Sequence, residues 1–259
     1  MQLFDTHAHL LKEGYPGGVS GVLERARQAQ VTRCITVATQ LDDSRASVTA
    51  AADHEGLWCT VGVHPHEAAK MPCDFVQELD ILASEPKVVA IGETGLDYHY
   101  EHSPRPRQQE VFADQLELAR RRDLAVVIHC REAFEDCLAI LDDWDNEQAR
   151  VVFHCFSSDT AAARQVLDRG YFLSFTGIIT FDNAREVQAA ASYAPIDRIM
   201  LETDCPFLSP APKRGHWPNE PALLPFTAEK MAQLRGQTAE NIAEATTATA
   251  VDFFRLEQP

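Results

Sequence analysis

The stretch AVVIHCREAFEDCLAIL, residues 125–141, holds the fold in miniature. Residues 125–130 form a short apolar, β-branched run, the mark of a buried strand, and Phe134, Cys137, Leu138 and Leu141 then recur at helical spacing. The first half reads as a strand and the second as a helix whose single apolar stripe packs against a sheet. The same alternation runs through the chain. Candidate strands lie at 2–9, 34–39, 57–64, 88–97, 125–130, 150–156, 171–177 and 199–204. Between them, Val19/Val22/Leu23/Ala26, Phe75/Leu79/Leu82/Ala83 and Phe112/Leu116/Ala119 supply further helical stripes. Helical stretches at 222–234 and 238–254 follow the eighth run, one to cover it and one extra. Eight strands with helical returns predict an α/β protein of the (β/α)8 TIM-barrel class with an extra C-terminal helix, although an open doubly wound sheet gives the same alternation.

The length of 259 residues suits one barrel of roughly 250 residues, and no composition break divides it, so a single domain over 1–259 is expected. Prolines 206, 210, 212, 218, 221 and 225 crowd the stretch after the eighth strand. That stretch is too short for an interdomain linker and long for a plain loop, and long loops after barrel strands tend to carry function. No internal repeat or low-complexity segment is present. A formal charge of −16 excludes a basic DNA-coating protein. With 45% hydrophobic and 24% charged residues, the chain falls outside disordered, collagen-like and coiled-coil profiles. The opening MQLFDTHAHL has no signal-peptide pattern, and no later run is apolar for the roughly 18 residues that a membrane span needs. A cytoplasmic location is the expectation. Seven cysteines without a CxxC, with Cys34, Cys59, Cys130 and Cys155 inside apolar runs, read as buried reduced thiols rather than a disulfide framework.

Asp5-Thr6-His7-Ala8-His9 closes the first strand. Side chains two apart share a strand face, so His7 and His9 project together and can bite one metal ion. One HxH is a modest signal; core histidines are its bland reading. The pattern sharpens because titratable residues recur near the C-terminal ends of separate strands: His64, Glu93, His129, His154 and Asp204. A barrel brings such ends to one face, where catalytic residues of this fold sit. Burying that many polar groups unpaired costs several kcal/mol, which divalent cations relieve. Imidazole and carboxylate donors without thiolate favour Zn, Mn or similar ions, and the cysteines beside His129 and His154 point to the opposite strand face. Two metals fit the ligand count: His7, His9 and Asp204 for one ion, His129 and His154 for the other, with Glu93 able to bridge both. A two-metal-activated water would be the nucleophile.

The set DTHAH, GVHPH, AIGETGLDY, IHCREA, FHCF, SFTGIITF, LETDCPFL and the later NEP resembles the TatD family of metal-dependent hydrolases and nucleases, in the amidohydrolase superfamily of barrels. The likeness runs from residue 3 to about 250. It implies that His7, His9, Glu93, His129, His154 and Asp204 are metal ligands, with Asp204 also the general base and Glu93 the second catalytic residue. It further implies a metal-dependent deoxyribonuclease, often exonucleolytic from the 3′ end, supported by Mg²⁺ or Mn²⁺. Many members carry a basic residue directly before Asn-Glu-Pro, where this chain has Trp217-Pro218, so substrate contacts in that loop can differ. Glu93 at the end of the fourth strand argues against a metal-bridging carbamylated lysine.

The cofactors expected are two divalent ions, Mg, Mn or Zn. The substrate is open between a phosphate ester and a small cyclic amide or lactone, because two metals serve either hydrolysis. Arg131, Lys213 and Arg214, with Arg105 and Arg107 further out, can form a positive rim for phosphate oxygens, though each has an ordinary surface reading. His64 is expected to touch substrate and to protonate a leaving oxygen, with His66 a weaker candidate. Glu202 shares a face with Asp204 and can support a neighbouring His, while Tyr98 and Trp217 can stack on a base or simply pack. The −16 charge opposes duplex DNA and leaves single-stranded DNA ends or small phosphoesters as the expected partners, with no membrane and no obligate protein partner. A binding barrel with a vestigial metal site is the weakest reading, since no ligand position is missing.

Overall fold

A computed structural model describes residues 2–144, 146 and 148–256. Met1, Asp145, Glu147 and residues 257–259, which the single-domain expectation includes, lie outside the described residues. In chain order the elements are β1 (Leu3–Ala8), α1 (Gly18–Gln28), β2 (Val31–Thr36), α2 (Leu41–Asp53), β3 (Leu57–Val61), α3 (Phe75–Leu82), β4 (Val88–Asp97) and α4 (Arg105–Arg122). They continue with β5 (Ala125–Arg131), α5 (Phe134–Trp144), β6 (Val151–Phe153), α6 (Thr160–Asp168), β7 (Phe172–Phe175), α7 (Arg185–Tyr193), β8 (Ile199–Leu201), α8 (Leu224–Arg235) and α9 (Ala239–Phe253). The eight strands form one sheet in chain order, and β1–β2, β3–β4, β4–β5, β5–β6 and β7–β8 pair in parallel. A doubly wound sheet reverses its strand order at a switch point. Sequential order with helical returns is instead the (β/α)8 barrel class, and α9 is its extra C-terminal helix.

By its contacts the chain forms two compact units, residues 1–36 with 155–259, and residues 37–154. In the first, Ala8 and Cys205 form an isolated parallel bridge that ties the end of β1 to the chain just past β8. Leu3, Phe175, Phe253 and Ile242 are fully or almost fully buried in it. In the second, Ile91, Phe112, Leu116, Val126 and Leu79 occupy the interior. Gly92 and Gly95 are what allow β4 to lie close against β5 there. A Cβ on Gly92 would sit 2.8 Å from Val127 Cβ, and one on Gly95 would collide with the His129 carbonyl oxygen, both at positive φ.

The strand expectations hold with shifted ends. β2 starts at Val31, earlier than the expected 34, and β6 stops at Phe153 because Cys155 takes a left-handed φ of 47°. Helices α2, α6 and α7 have no counterpart among the apolar stripes read from the sequence. Their buried faces are small or polar: Leu41, Ser44, Ser47 and Ala51 in α2, Ala163 and Val166 in α6, Val187, Ala190 and Ala191 in α7. In α2, Ser44 Oγ is buried because it donates to Gln40 O at 2.9 Å and accepts from the Gly62 N–H at 3.1 Å. Among the described residues no helix is long and apolar enough to cross a membrane.

Candidate metal centre

The first cluster belongs to the unit that carries both chain ends. His7 is fully buried near the end of β1, and His9 is buried just beyond it. Asp204 follows β8 with a left-handed φ of 53°, which turns its side chain back toward the histidines. Its Oδ1 lies 3.7 Å from His7 Nε2 and 3.5 Å from His9 Nε2. The backbone fixes this meeting: the Asp204 N–H donates to His7 O at 2.9 Å, and the His9 N–H donates to Cys205 O at 2.8 Å. Below the histidines, Asp5 is fully buried and accepts from the Thr203 N–H at 3.0 Å, Thr203 Oγ1 at 2.6 Å and the His7 N–H at 3.3 Å. Burial pushes its carboxyl up to about 7, against the opposing effect of these bonds. Glu202, also buried, accepts the Cys155 N–H at 2.6 Å and so anchors the chain that follows His154.

The second cluster lies in the other unit, around Glu93 on β4. Glu93 Oε1 is 2.8 Å from His129 Nδ1, 2.9 Å from His154 Nε2 and 3.5 Å from His64 Nε2. Burial alone would raise the Glu93 carboxyl, but the His154 and His64 charges and the imidazole hydrogen bonds hold it well below the usual carboxylate range. Burial pushes His129 the other way, and bonds to Asp97 and Glu93 reverse that, taking its pKa up to about 9. His64 is pushed down to about 4 by burial, with the His129 charge adding to the effect. The His66 backbone N–H donates to His64 Nδ1 at 3.1 Å, so neutral His64 carries its proton on Nε2, the nitrogen that faces Glu93.

Asp97 was not among the residues singled out from the sequence, yet it organises this cluster. Its Oδ2 lies 2.9 Å from both His129 Nε2 and His66 Nε2, while Oδ1 accepts from the His99 and Tyr100 N–H groups at 3.0 and 2.9 Å. Buried Gln108 brackets it, donating to Asp97 O at 3.0 Å and accepting the Asp97 N–H at 2.8 Å. The available signal was its place on the same strand as Glu93, an even number of residues further on.

The donors suit a divalent cation: imidazole nitrogens and carboxylate oxygens, with no thiolate. One ligand atom from each of His7, His9 and Asp204 lies within 4.8 Å of the others, and the same holds for His64, Glu93 and His129. His64, expected to face substrate, thus stands among the candidate ligand atoms. Cys130 takes no part in the cluster; its thiol hydrogen-bonds Cys137 of α5, on the helix side of the strand.

The cations of the expected rim are partly engaged elsewhere. Arg131, exposed at the end of β5, lies over the Tyr100 ring at 4.8 Å, and Arg214 lies over Phe181 at 4.7 Å. Lys213 is exposed on the loop after β8. Arg105 pairs with Glu101 and covers Tyr98 at 4.2 Å, while Arg107 pairs with Glu110 at 2.7 Å. Tyr98 donates its hydroxyl to Asp136 at 2.7 Å, so it packs rather than offering an open ring.

The family model described as TatD related DNase matches residues 4–255. Over 254 residues the chain is 38% identical to the metal-dependent hydrolase YabD of Bacillus subtilis, covering 98% of this chain and 99% of that relative. It is 36% identical over 257 residues to the 3′-5′ ssDNA/RNA exonuclease TatD of Cronobacter sakazakii, covering 97% of each. Among solved structures, the TatD homolog YjjV of Escherichia coli matches with a TM-score of 0.93 at 28% identity, over 98% of each chain. The chain therefore belongs to the TatD family of metal-dependent hydrolases.

Proposed function

We infer that this hydrolase is a phosphodiesterase acting on single-stranded DNA ends, releasing nucleotides from the 3′ side. The observation that carries the reading is the gathering of imidazole and carboxylate donors into two sets, His7/His9/Asp204 and His64/Glu93/His129 with His154 on the same carboxylate. His7, His9 and Asp204 would hold one divalent ion, and Glu93, His129 and His154 would hold another. A divalent cation bound there would acidify water and offset charge growing on phosphoryl oxygens.

The chain's own groups then divide the work. Asp204, its Oδ1 directed at two imidazoles, is the carboxylate that would accept the proton of the attacking water. Neutral His64 has its Nε2 proton aimed into the cluster, where it would donate a hydrogen bond to an oxygen of the substrate. Exposed Arg131, Lys213 and Arg214 are the groups that would meet phosphate oxygens. The −16 charge limits long-range attraction for a polyanion, so duplex affinity is weak and short strands are favoured. The name of the Cronobacter sakazakii relative supports the same substrate class.

The test incubates Mn²⁺- or Mg²⁺-loaded protein with 3′-labelled single-stranded DNA, and separately with lactones and cyclic amides. Release of labelled mononucleotide is expected. Turnover of the lactones or amides alone would replace the nuclease reading with a small-molecule one.

A further inference from the structure

Two aromatic side chains stand open beside the first cluster. Phe207 is 46% exposed and Trp217 63% exposed, with ring centroids 5.9 Å apart and planes tilted by 55°. Phe207 also meets His9 edge-on, at 6.3 Å between centroids. Its N–H donates to Asp204 O at 3.1 Å, so the aromatic pair is attached to the backbone of a candidate metal ligand. Large apolar surface left in water is unfavourable unless something covers it at work.

The loop that carries the pair is held from several sides. Buried Asn219 donates through Nδ2 to Thr203 O at 3.1 Å and Phe207 O at 2.6 Å, and its N–H donates to Pro206 O at 3.0 Å. Ser209 Oγ donates to His216 O at 2.6 Å, and Glu220 is locked to Arg25 of α1 at 2.6 Å. The backbone that carries the rings is thus held before any ligand arrives, and little loop-ordering cost opposes binding. Phe207 packs at a tilt beside the indole, which stays 63% exposed. Exposed Lys213 on the same loop can meet a phosphate next to a base lying on that face.

We propose that Phe207 and Trp217 form the seat for a nucleobase adjoining the scissile phosphate of a single strand, which rests on the nuclease reading above. A flat aromatic face accepts any base, so the seat confers preference for unpaired over paired ends rather than for sequence. A duplex end keeps its bases stacked on each other and cannot offer one without unpairing.

The test separates the seat from the nuclease reading by using binding as well as turnover. Indole fluorescence of native protein in EDTA is titrated with a short thymidine oligonucleotide and with an equally long oligomer abasic at its 3′ end. The thymidine oligomer should quench and the abasic one should not, and Trp217→Phe should lose the signal. In metal-loaded protein, the base-bearing oligomer should have a KM about tenfold lower than the abasic one, as one base–aromatic stack provides. Trp217→Ala should collapse that ratio to near unity, and Trp217→Phe should restore most of it. An unaltered ratio in Trp217→Ala overturns the seat. Quenching without cleavage by any metal-loaded form overturns the nuclease reading and leaves the seat standing; neither signal overturns both.

Discussion

His129 Nε2 lies 2.9 Å from Asp97 Oδ2, on the side of the ring opposite to the nitrogen that meets Glu93. One imidazole is thus clamped between two carboxylates, Glu93 on Nδ1 and Asp97 on Nε2. With His129 as a ligand, as proposed above, Asp97 would be its orienting carboxylate, fixing the tautomer and making the ligand more basic. Asp97→Asn keeps an oxygen for the His99 and Tyr100 N–H groups but removes the charge. Affinity for Mn²⁺ at this cluster should fall by about 10–100-fold in chelator competition, with secondary structure retained. Native affinity in this variant would show that Asp97 has no part in holding the ligand.

Turnover should respond to Glu93 and Asp204 as a unit. Glu93→Ala removes the acceptor shared by three imidazoles, and Asp204→Ala removes the oxygen aimed at His7 and His9. Each should lower kcat on an oligonucleotide by at least about 100-fold, the usual scale for a positioned proton acceptor. Neither change opens a large apolar cavity, so circular dichroism should be native-like. Full activity in both variants would sink the assigned roles.

Much of the candidate metal centre was open to reading in the sequence because ligand chemistry is sparse and strand ends are easy to locate. His7, His9, Glu93, His129, His154 and Asp204 each fall at or near the close of an apolar run. Asp97 and Asp5 were passed over because a single carboxylate inside a motif has the same appearance whether it meets water or an imidazole. Only the fold brings Asp97 to His129, 32 positions away, and Thr203 to Asp5, 198 positions away. Helices α2, α6 and α7 were missed for a related reason: alanine and serine pack closely against strands without leaving a hydrophobic period to read.

Gly95 is the backbone position least open to change. Its φ of +131° disfavours any side chain, and a Cβ would enter the His129 carbonyl oxygen on the neighbouring strand. Gly215 also has positive φ, +88°, but a Cβ there meets nothing within 4 Å. Gly215→Ala should therefore cost only about 1–2 kcal/mol of backbone strain. Gly95→Ala should cost more than about 3 kcal/mol, or prevent recovery of folded protein. Denaturant unfolding compares them, and equal midpoints would contradict the β4–β5 packing.

Asn219→Ala tests whether the loop after β8 is a fixed platform. Its side-chain bond to Thr203 O is buried and that to Phe207 O partly so, and losing them leaves both carbonyls short of a donor. A loss of about 1–3 kcal/mol is expected, or roughly 2–4 °C in Tm for each kcal/mol at this chain length. An unchanged melting curve would mean that the loop is not held by this side chain.

The most direct measurement is the number of Mn²⁺ ions bound per chain at saturation, counted by equilibrium dialysis with elemental analysis. Two ions are expected for the native chain, and one for a variant carrying His7→Ala and His9→Ala, because the donors around Glu93 remain in place. A native chain that binds no ion, or a double variant that still binds two, would contradict the metal centre described here.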